Sequence, residues 1–188
     1  MAEPDPAGPP ARPVFSIGHS THDLPTFTGL LRDHGIGHVA DVRSFPRSRR
    51  LPHFDADSLG PSLAAEGIGY THLPALGGLR KPVAGSPNDG WQHPGFRGYA
   101  DHMGTEGFAE GLRTLDDLAE RERTAYLCAE GLWWRCHRRL LSDALTVAGR
   151  RVQHILPDAS LQPHAMTLFA VVEGSRITYP AAEPLLLE

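Results

Sequence analysis

The sequence predicts an α/β protein: a single domain with a mainly parallel central sheet, flanking helices, and irregular loops at the carboxyl ends of the strands. Short apolar runs of strand length alternate with segments of helical periodicity. The runs at 14–18 and 38–42 enclose a helical pattern at 24–34, and such a right-handed strand–helix–strand unit implies a parallel pair. The length of 188 residues suits one domain with a core that needs no cross-links.

This first unit is bounded by clear turn signals. Its first strand, VFSIG, ends in a Gly-His-Ser-Thr turn. Asp23 is the expected N-cap of the helix that follows, and Gly35 is its expected stop. The second strand, HVADV, is followed directly by Arg43, so polar side chains come after both strands.

The middle of the chain is less regular. Residues 44–54, SFPRSRRLPHF, contain two prolines and three arginines, which exclude a regular element and leave either a ligand-binding loop or a basic surface loop. A short helix over 57–66 and a third strand over 69–73 are expected next. Residues 79–98 are rich in Gly, Pro and polar side chains, and they indicate either a flexible lid or a disordered insert.

The remaining elements follow from periodicity. Residues 96–103 begin a short helix whose tyrosine faces inward, and 105–121 form an amphipathic helix with Phe and Leu side chains on one stripe. Buried strands over 124–129 and 151–156 enclose a further helix. Residues 167–172 are apolar and β-branched enough for an edge strand or a packed tail.

Composition predicts the domain limits and the compartment. Residues 1–13 are expected to be a disordered lead-in, 14–157 the α/β domain, and 158–188 an extension partly packed on it. The net charge of −4 argues against nonspecific coating of nucleic acid and leaves room for a local basic cleft. Two cysteines, no membrane-length apolar run and no signal-peptide pattern indicate a cytoplasmic protein without a membrane partner.

The segment 124–148 carries the most informative chemistry. Its helical periodicity starts near Trp134. The first helical turn is expected to hold three arginines, a cysteine and a histidine, namely Arg135, Cys136, His137, Arg138 and Arg139. Cations are unfavourable at the positive end of a helix dipole, whereas backbone N–H groups there bind anions. We therefore expect an anion site at this turn; the alternative is that Arg138 and Arg139 are ordinary solvated residues.

The two cysteines differ in their expected roles. Cys128, inside an apolar strand, is expected to be a small core residue before it is a nucleophile. Cys136 is the better reactive candidate, since a thiol at a helix start among cations has a depressed pKa. His137 has three interpretations: a metal ligand, a general base or a surface residue.

Further polar residues follow the other strands. His19 and Ser20 come after the first strand, Asp41 and Arg43 end the second, and Glu130 comes after the fourth. Strand ends of one parallel sheet share a rim, so these groups are expected to line one cleft. There, His19 paired with Asp41 or Glu130 would act as a general acid–base.

The motifs IGHS, DVRSFPRSRRLPHF, GYTHLPALGG and LCAE…RCHRRLLSDAL resemble the uncharacterised bacterial family called domain of unknown function 488, from about Val14 to His154. The resemblance implies an α/β fold and marks a set of site residues: His19, Ser20, Asp41, Arg43, Pro46, Arg49, Phe54, Tyr70, Gly77, Gly78, Cys128, Glu130, Cys136, His137 and Arg138. This chain departs from the family's acidic linker with Gly131-Leu132-Trp133-Trp134. These tryptophans either stack on a flat ligand or pack against the protein.

The sequence therefore predicts an enzyme whose cleft binds a phosphate- or carboxylate-bearing small molecule or nucleotide. The expected catalytic residues are His19, Asp41, Glu130, Cys136 and His137. The expected ligand-binding residues are Ser20, Arg43, Arg47, Arg49, Tyr70, Trp134, Arg135, Arg138 and Arg139.

Three alternatives stay open. One is a nucleic-acid or nucleotide-binding module without catalysis, which rests on the arginine loop at 47–50, His53 and the two tryptophans. Another is a metal-binding protein, whose expected ligands are His19, Cys136 and His137 although the spacing matches no standard motif. The third is a structural or partner-binding domain. Cofactor, reaction type and oligomeric state are not predicted.

Overall fold

The computed structural model describes residues 12–181. Residues 1–11 of the predicted lead-in and 182–188 of the predicted extension lie outside this range. The strands are β1 Val14–Gly18, β2 His38–Asp41, β3 Gly69–His72, β4 Thr124–Cys128, β5 Val152–Ile155, β6 Leu161–Pro163, β7 Val171–Glu173 and β8 Arg176–Thr178. The helices are α1 Leu24–Asp33, α2 Ala56–Ala65, α3 Pro94–His102, α4 Glu106–Arg121 and α5 Arg138–Val147.

The six-stranded central sheet has the order β3-β2-β4-β1-β5-β6. The first five strands in this order pair in parallel, and β6 adds antiparallel to β5. The fold class is therefore α/β with a mainly parallel sheet, as predicted. Strands β7 and β8 form a separate antiparallel hairpin.

The two faces of the sheet bury two hydrophobic cores. Phe27, Leu31 and Leu63, from α1 and α2, pack on one face. On the other face, α3, α4 and α5 pack around Tyr99 and Tyr126. All five residues of β1 and all five of β4 are buried, because both strands are covered by helices on both sides.

This layering opens a crevice at the carboxyl end of β4. The chain leaves β1 and β2 towards the helices of one face, and it leaves β4 towards α5 on the opposite face. Loops that depart in opposite directions from neighbouring parallel strands leave a gap between them, where ligands bind in open α/β sheets. Candidate site residues follow each of these three strands.

Local signals placed most elements correctly, and the structure corrects or narrows three expectations. The helix expected from Trp134 begins at Arg138, because residues 133–135 form a single 3₁₀ turn that buries Trp133. A 3₁₀ turn over Pro52–Phe54 interrupts the segment expected to lack regular structure. Of the two interpretations of residues 167–172, the edge strand of the central sheet is wrong, since the last two residues belong to the hairpin. The packed tail is confirmed, because Phe169 and Ala170 pack against the core.

The segment 79–98 is tied to α3 by hydrogen bonds from its middle and by its last residues. Its last five residues belong to α3, and Asp101 of that helix accepts hydrogen bonds from the backbone N–H of Val83 and from the side chains of Ser86 and Asn88. These contacts position the loop beside the crevice. Within residues 12–181, no helix is long and apolar enough to cross a membrane.

Candidate functional site

The crevice is a cleft of about 770 Å³, within the size range of small-molecule sites. Its lining combines ionisable, sulfur-bearing and aromatic side chains, with Arg43, Arg47, Arg135, His19, Glu130, Cys128, Cys136, His137, Phe45 and Trp134 among them. A second cavity, of about 670 Å³, lies where α3, α4, α5 and β8 meet, and none of the predicted site residues line it. The first cleft is therefore the candidate site.

Two cysteines and a histidine converge in this cleft. Nδ1 of His137 lies 3.5 Å from Sγ of Cys136 and 3.9 Å from Sγ of Cys128. Both cysteines are buried and neither forms a disulfide. Cys128 ends β4, and Cys136 and His137 come just before α5, so the convergence depends on the turn that joins these two elements.

The backbone fixes the proton arrangement on His137. Its Nε2 lies 3.2 Å from the carbonyl oxygen of Val42. A carbonyl only accepts hydrogen bonds, so Nε2 carries a proton and donates it. Nδ1 is then the nitrogen that exchanges a proton with the thiols, which is the arrangement a general base for a cysteine requires.

The environment separates the acidities of the two thiols. Burial raises the pKa of Cys136, but the hydrogen bond from the Cys128 thiol and the charges of His137 and Arg138 outweigh it, so the pKa falls well below 9.0. The pKa of Cys128 is raised well above that value by its hydrogen bond to Cys136 and by burial. Cys136 is therefore the more acidic thiol of the pair, and Cys128 is the thiol that stabilises its ionised form.

Arg43 is held by a buried ion pair. Its Nε donates to Oδ1 of Asp41 at 2.8 Å, and its Nη2 donates both to Oδ2 of Asp41 and to the carbonyl of Phe54. Tyr70 donates to the same carboxylate at 2.8 Å. Among the described residues, Nη1 of Arg43 contacts only Nε2 of His19, at 3.4 Å, so it keeps an N–H for a ligand.

His19 is neutral at physiological pH. Its Nδ1 donates to the carbonyl of Ser20 at 2.9 Å, which leaves Nε2 as an acceptor facing Arg43. Burial and the charge of Arg43 lower the pKa of His19 to about 4. Its ring also stacks on Phe54, with centroids 4.2 Å apart. These contacts make His19 a support for Arg43.

Arg138 is buried behind the cleft. Its Nη2 donates to the carbonyls of Glu130 and Gly131, in the turn that leads from β4 towards α5. Its Nη1 donates to Oγ of Ser16 in β1, at 3.3 Å. Arg138 therefore ties this turn to the central sheet.

A buried chain of hydrogen bonds continues from Ser16. Ser16 Oγ lies 2.7 Å from Nδ1 of His154, Nε2 of His154 lies 3.1 Å from Nδ1 of His164, and Nε2 of His164 lies 2.9 Å from Oδ1 of Asp143. An arginine only donates and a carboxylate only accepts, so with neutral imidazoles every bond between Arg138 and Asp143 points the same way. We call these five residues the relay. The relay connects Arg138 and Asp143, two oppositely charged residues of α5, through the interior of the protein.

Comparison with known proteins agrees with the resemblance of the motifs. A family model described as Domain of unknown function DUF488 matches residues 23–145, more than half of the chain. The chain belongs to this family. Neither the curated proteins nor the solved structures compared with it give a match.

In this DUF488 member, the predicted site residues divide into three groups. One group lines the cleft: His19, Arg43, Arg47, Glu130, Trp134, Arg135, Cys136 and His137. A second group lies behind it and holds other residues in place: Asp41, Tyr70 and Arg138. Ser20 also belongs to the second group, because its carbonyl accepts a hydrogen bond from Nδ1 of His19. The third group, Arg49 and Arg139, neither lines the cleft nor hydrogen-bonds to the side chains that do. The guanidinium of Arg139 instead bonds to Thr167 and lies over Trp91.

The two tryptophans have separate environments. Trp133 stacks on His154 with centroids 4.1 Å apart and donates to Gln162, so it packs against the protein. Trp134 is 40% exposed and lines the cleft.

The third candidate metal ligand in the structure is Cys128, whereas the metal hypothesis expected His19 in addition to Cys136 and His137. Among the described residues, the group of His, Cys and carboxylate side chains that could hold a metal ion is Cys128, Cys136 and His137, whose ligand atoms lie within 4.8 Å of one another. Nε2 of His19 faces Arg43 instead. A cysteine at the carboxyl end of a buried strand, followed by a turn and a second cysteine, was the signal available for Cys128. His93 and Phe96 in the cleft wall, and His154 and His164 in the relay, had no such signal.

Proposed function

We propose that the cleft is the active site of an enzyme that acts on a small molecule carrying a phosphate or a carboxylate, with Cys136 as nucleophile and His137 as its base. The observation that carries this proposal is the position of His137: Nδ1 lies 3.5 Å from Sγ of Cys136, and the Val42 carbonyl keeps the other nitrogen protonated. A nucleophile, its base and a group that orients the base are the usual parts of such a site.

Charge in the cleft favours an anionic ligand. Its charged lining residues are three arginines and one glutamate, whereas the whole chain has a net charge of −4. Arg43 keeps an N–H at Nη1, and the amino end of α5 has no capping side chain. Backbone N–H groups at a helix start and nearby guanidinium groups both stabilise anions.

The proposed chemistry is nucleophilic displacement. Nδ1 of His137 takes the proton of Cys136, and the sulfur forms a bond to an electrophilic carbon or phosphorus of the substrate as the bond to the leaving group breaks. The leaving group receives the proton from His137. Water then attacks the covalent intermediate with His137 again acting as base, which releases the product and the free thiol.

The test is to look for this intermediate. The full chain is incubated with a panel of acyl and phosphoryl esters that carry a second anionic group, and intact-mass spectrometry is combined with product detection. We expect an adduct and turnover in the parent protein, and no adduct in Cys136→Ser or in His137→Ala. The control variant is Arg113→Ala, whose exposed side chain lies on α4 away from the cleft, and it should behave like the parent protein. An adduct that persists in Cys136→Ser would exclude this role.

A second candidate function is metal binding, because the distances also suit a metal centre. In a tetrahedral zinc site, bond lengths of about 2.3 Å to sulfur and 2.0–2.1 Å to nitrogen place sulfur and nitrogen about 3.5 Å apart. The observed separations from Nδ1 of His137 are 3.5 Å to Cys136 and 3.9 Å to Cys128. The bond from Nε2 to Val42 resembles the outer contact that orients metal-bound histidines.

Zinc titration separates the two candidates. A metal centre predicts one zinc per chain, bound tightly enough to survive gel filtration and lost in Cys128→Ala, Cys136→Ser and His137→Ala alike. Bound zinc would also protect Cys136 from alkylation, because its sulfur would be a ligand. The nucleophile proposal predicts less than a tenth of an equivalent of zinc after gel filtration and rapid alkylation at neutral pH.

A further inference from the structure

Large apolar side chains are exposed at the mouth of the cleft. Phe45 is 75% exposed, Leu79 is 77% exposed and Trp134 is 40% exposed, and all three line the same cleft. Single exposed apolar residues are common on protein surfaces, but a cluster around a concave site marks a binding surface.

The backbone beneath these side chains is held in place. Oγ of Ser44, next to Phe45, accepts from the backbone N–H of Leu79 at 3.3 Å. A Cβ added at Gly77 would overlap Ser44, so the loops that carry Phe45 and Leu79 pack backbone against backbone.

Trp134 has a separate support. It belongs to the 3₁₀ turn that the buried Trp133 anchors. The rings of Trp133 and Trp134 meet edge to face, with centroids 5.7 Å apart. Apolar side chains on fixed backbone are available to a ligand without a large ordering cost.

Positive charge lies beside this apolar surface. Arg47 is two residues from Phe45, and Arg135 is adjacent to Trp134 in the chain; both side chains are exposed and line the cleft. A ligand that satisfies both features needs an anionic group and a flat apolar group a few bonds away. Aromatic rings stack on Trp and Phe and also on guanidinium planes, so a ring suits this lining better than a sugar or an aliphatic chain does.

We propose that the molecule accepted by this cleft is an aromatic anion, in which a flat ring bound by Phe45, Leu79 and Trp134 is joined to a phosphate or carboxylate bound by the arginines. This inference rests on the proposed function, because it names the chemical class of that site's ligand. A volume of about 770 Å³ accommodates a molecule of mononucleotide size.

Titration calorimetry of the full chain with four probes tests the proposal: AMP and phenyl phosphate, which carry a ring, and ribose 5-phosphate and inorganic phosphate, which do not. We expect the two aromatic probes to bind at least about tenfold more tightly than ribose 5-phosphate, as one stacked ring supplies. Trp134→Ala and Phe45→Ala should remove most of this difference while leaving phosphate binding unchanged. Arg135→Ala should weaken all four probes by a similar factor.

The control variant is Leu168→Ala, which truncates a fully exposed apolar side chain that lies outside the cleft lining and should bind like the parent protein. Circular dichroism spectra check that each variant folds. Equal affinity for AMP and ribose 5-phosphate would overturn this inference and leave the proposed function standing. Binding of none of the four probes would overturn this inference, and together with the absence of an adduct from the whole ester panel it would overturn both. Adenosine, titrated as a fifth probe, should bind more weakly than AMP, and equal affinity of the two would overturn the claim that the ligand is an anion.

Discussion

The Nε2–H of His137 donates to the carbonyl of Val42, 3.2 Å away, and so turns Nδ1 towards two cysteine sulfurs. Val42 follows β2, whereas His137 precedes α5, so the contact spans the crevice at the end of β4. The imidazole is thereby oriented by the backbone of the sheet. A fixed base next to a low-pKa thiol is the basis of the first prediction.

Cys136 should be alkylated by iodoacetamide faster than Cys128 at neutral pH, because only its pKa is lowered. The midpoint of its rate against pH should lie below 9.0. Cys128→Ala removes the thiol that stabilises the thiolate, so we expect this midpoint to rise and the rate at pH 7 to fall by about tenfold. Stopped-time mass spectrometry measures both.

Each cysteine variant leaves one thiol, so the labelled site is unambiguous. In Cys136→Ser, the remaining Cys128 should stay largely unlabelled at pH 7. Equal labelling rates for the two thiols in the parent protein would contradict the assignment.

Gly78→Ala should displace the imidazole of His137, since a Cβ at this position would overlap Nδ1. We expect the alkylation rate of Cys136 at pH 7 to fall severalfold towards that of Cys128→Ala, while the far-ultraviolet circular dichroism stays unchanged.

The matched control is Gly29→Ala in α1, where a Cβ meets nothing within 4 Å. It should leave the labelling rate unchanged and stabilise the helix slightly, because alanine has the higher helix propensity. If Cys136 is alkylated in Gly78→Ala as fast as in the parent protein, the added Cβ has displaced the loop that carries residue 78 and has left the imidazole of His137 in place.

Asp143→Asn should destabilise the protein by about 3 kcal/mol or more, because the buried carboxylate accepts from Nε2 of His164, and an amide has one acceptor oxygen in place of two. The carboxylate also accepts from the hydroxyl of Tyr179 and from the backbone N–H of Thr167. Urea unfolding followed by fluorescence measures the change.

Asp117→Asn, at an exposed position of α4, is the control and should change the free energy of unfolding by less than about 0.5 kcal/mol. If the two variants have the same urea midpoint, the relay contributes nothing to stability.

Stability should fall as the pH drops below 6.5. Burial lowers the pKa of His154 from 6.5 to about 2, with help from the charges of His164 and Arg138, and the pKa of His19 falls to about 4. Below 6.5 the unfolded chain binds protons that the folded protein does not, so unfolding is favoured. Each histidine should contribute about 1.4 kcal/mol per pH unit between 6.5 and 5, and neither contributes above pH 7.

Urea midpoints at pH 7.5, 6.5, 5.75 and 5 test this slope. The pKa values of His38 and His102 are also lowered by burial, so they add to the loss in the same direction. His19→Asn removes one of these titrating groups and should lose less stability over this range than the parent protein. A parent protein equally stable at pH 7.5 and pH 5 would contradict the assignment of neutral, buried imidazoles.

Local sequence signals predicted the sheet and most helices. Asp23 caps α1 as expected, accepting from the N–H of Thr26 at 2.9 Å, and Gly35 follows that helix with a φ of 61°. The start of α5 was misplaced because helical periodicity in the apolar residues does not distinguish a 3₁₀ turn from a helix start. Trp133, in this turn, packs against His154, and local periodicity could not reveal a contact between such distant segments.

The cleft was predictable in outline and the relay was not. Strand-end residues such as His19 and Arg43 share a rim because parallel strands impose it. Ser16 and His154 are 138 positions apart, and neither belongs to a recognisable motif, so only the fold reveals their hydrogen bond. The role of Arg138 was equally hidden, because a charged residue near a helix start gives no sign of pointing inward.

The residues at the mouth of the cleft and those that hold its interior differ in burial. Phe45, Leu79 and Trp134 lie in the loops that follow β2, β3 and β4 and expose their side chains, whereas Cys128 ends β4 and Arg43 is buried close to the end of β2. Truncating these exposed side chains is therefore expected to leave the fold and the sulfur positions unchanged. Under the proposed function, laboratory libraries built on 45, 79 and 134 should change which ligands bind while Cys136 and His137 stay in place.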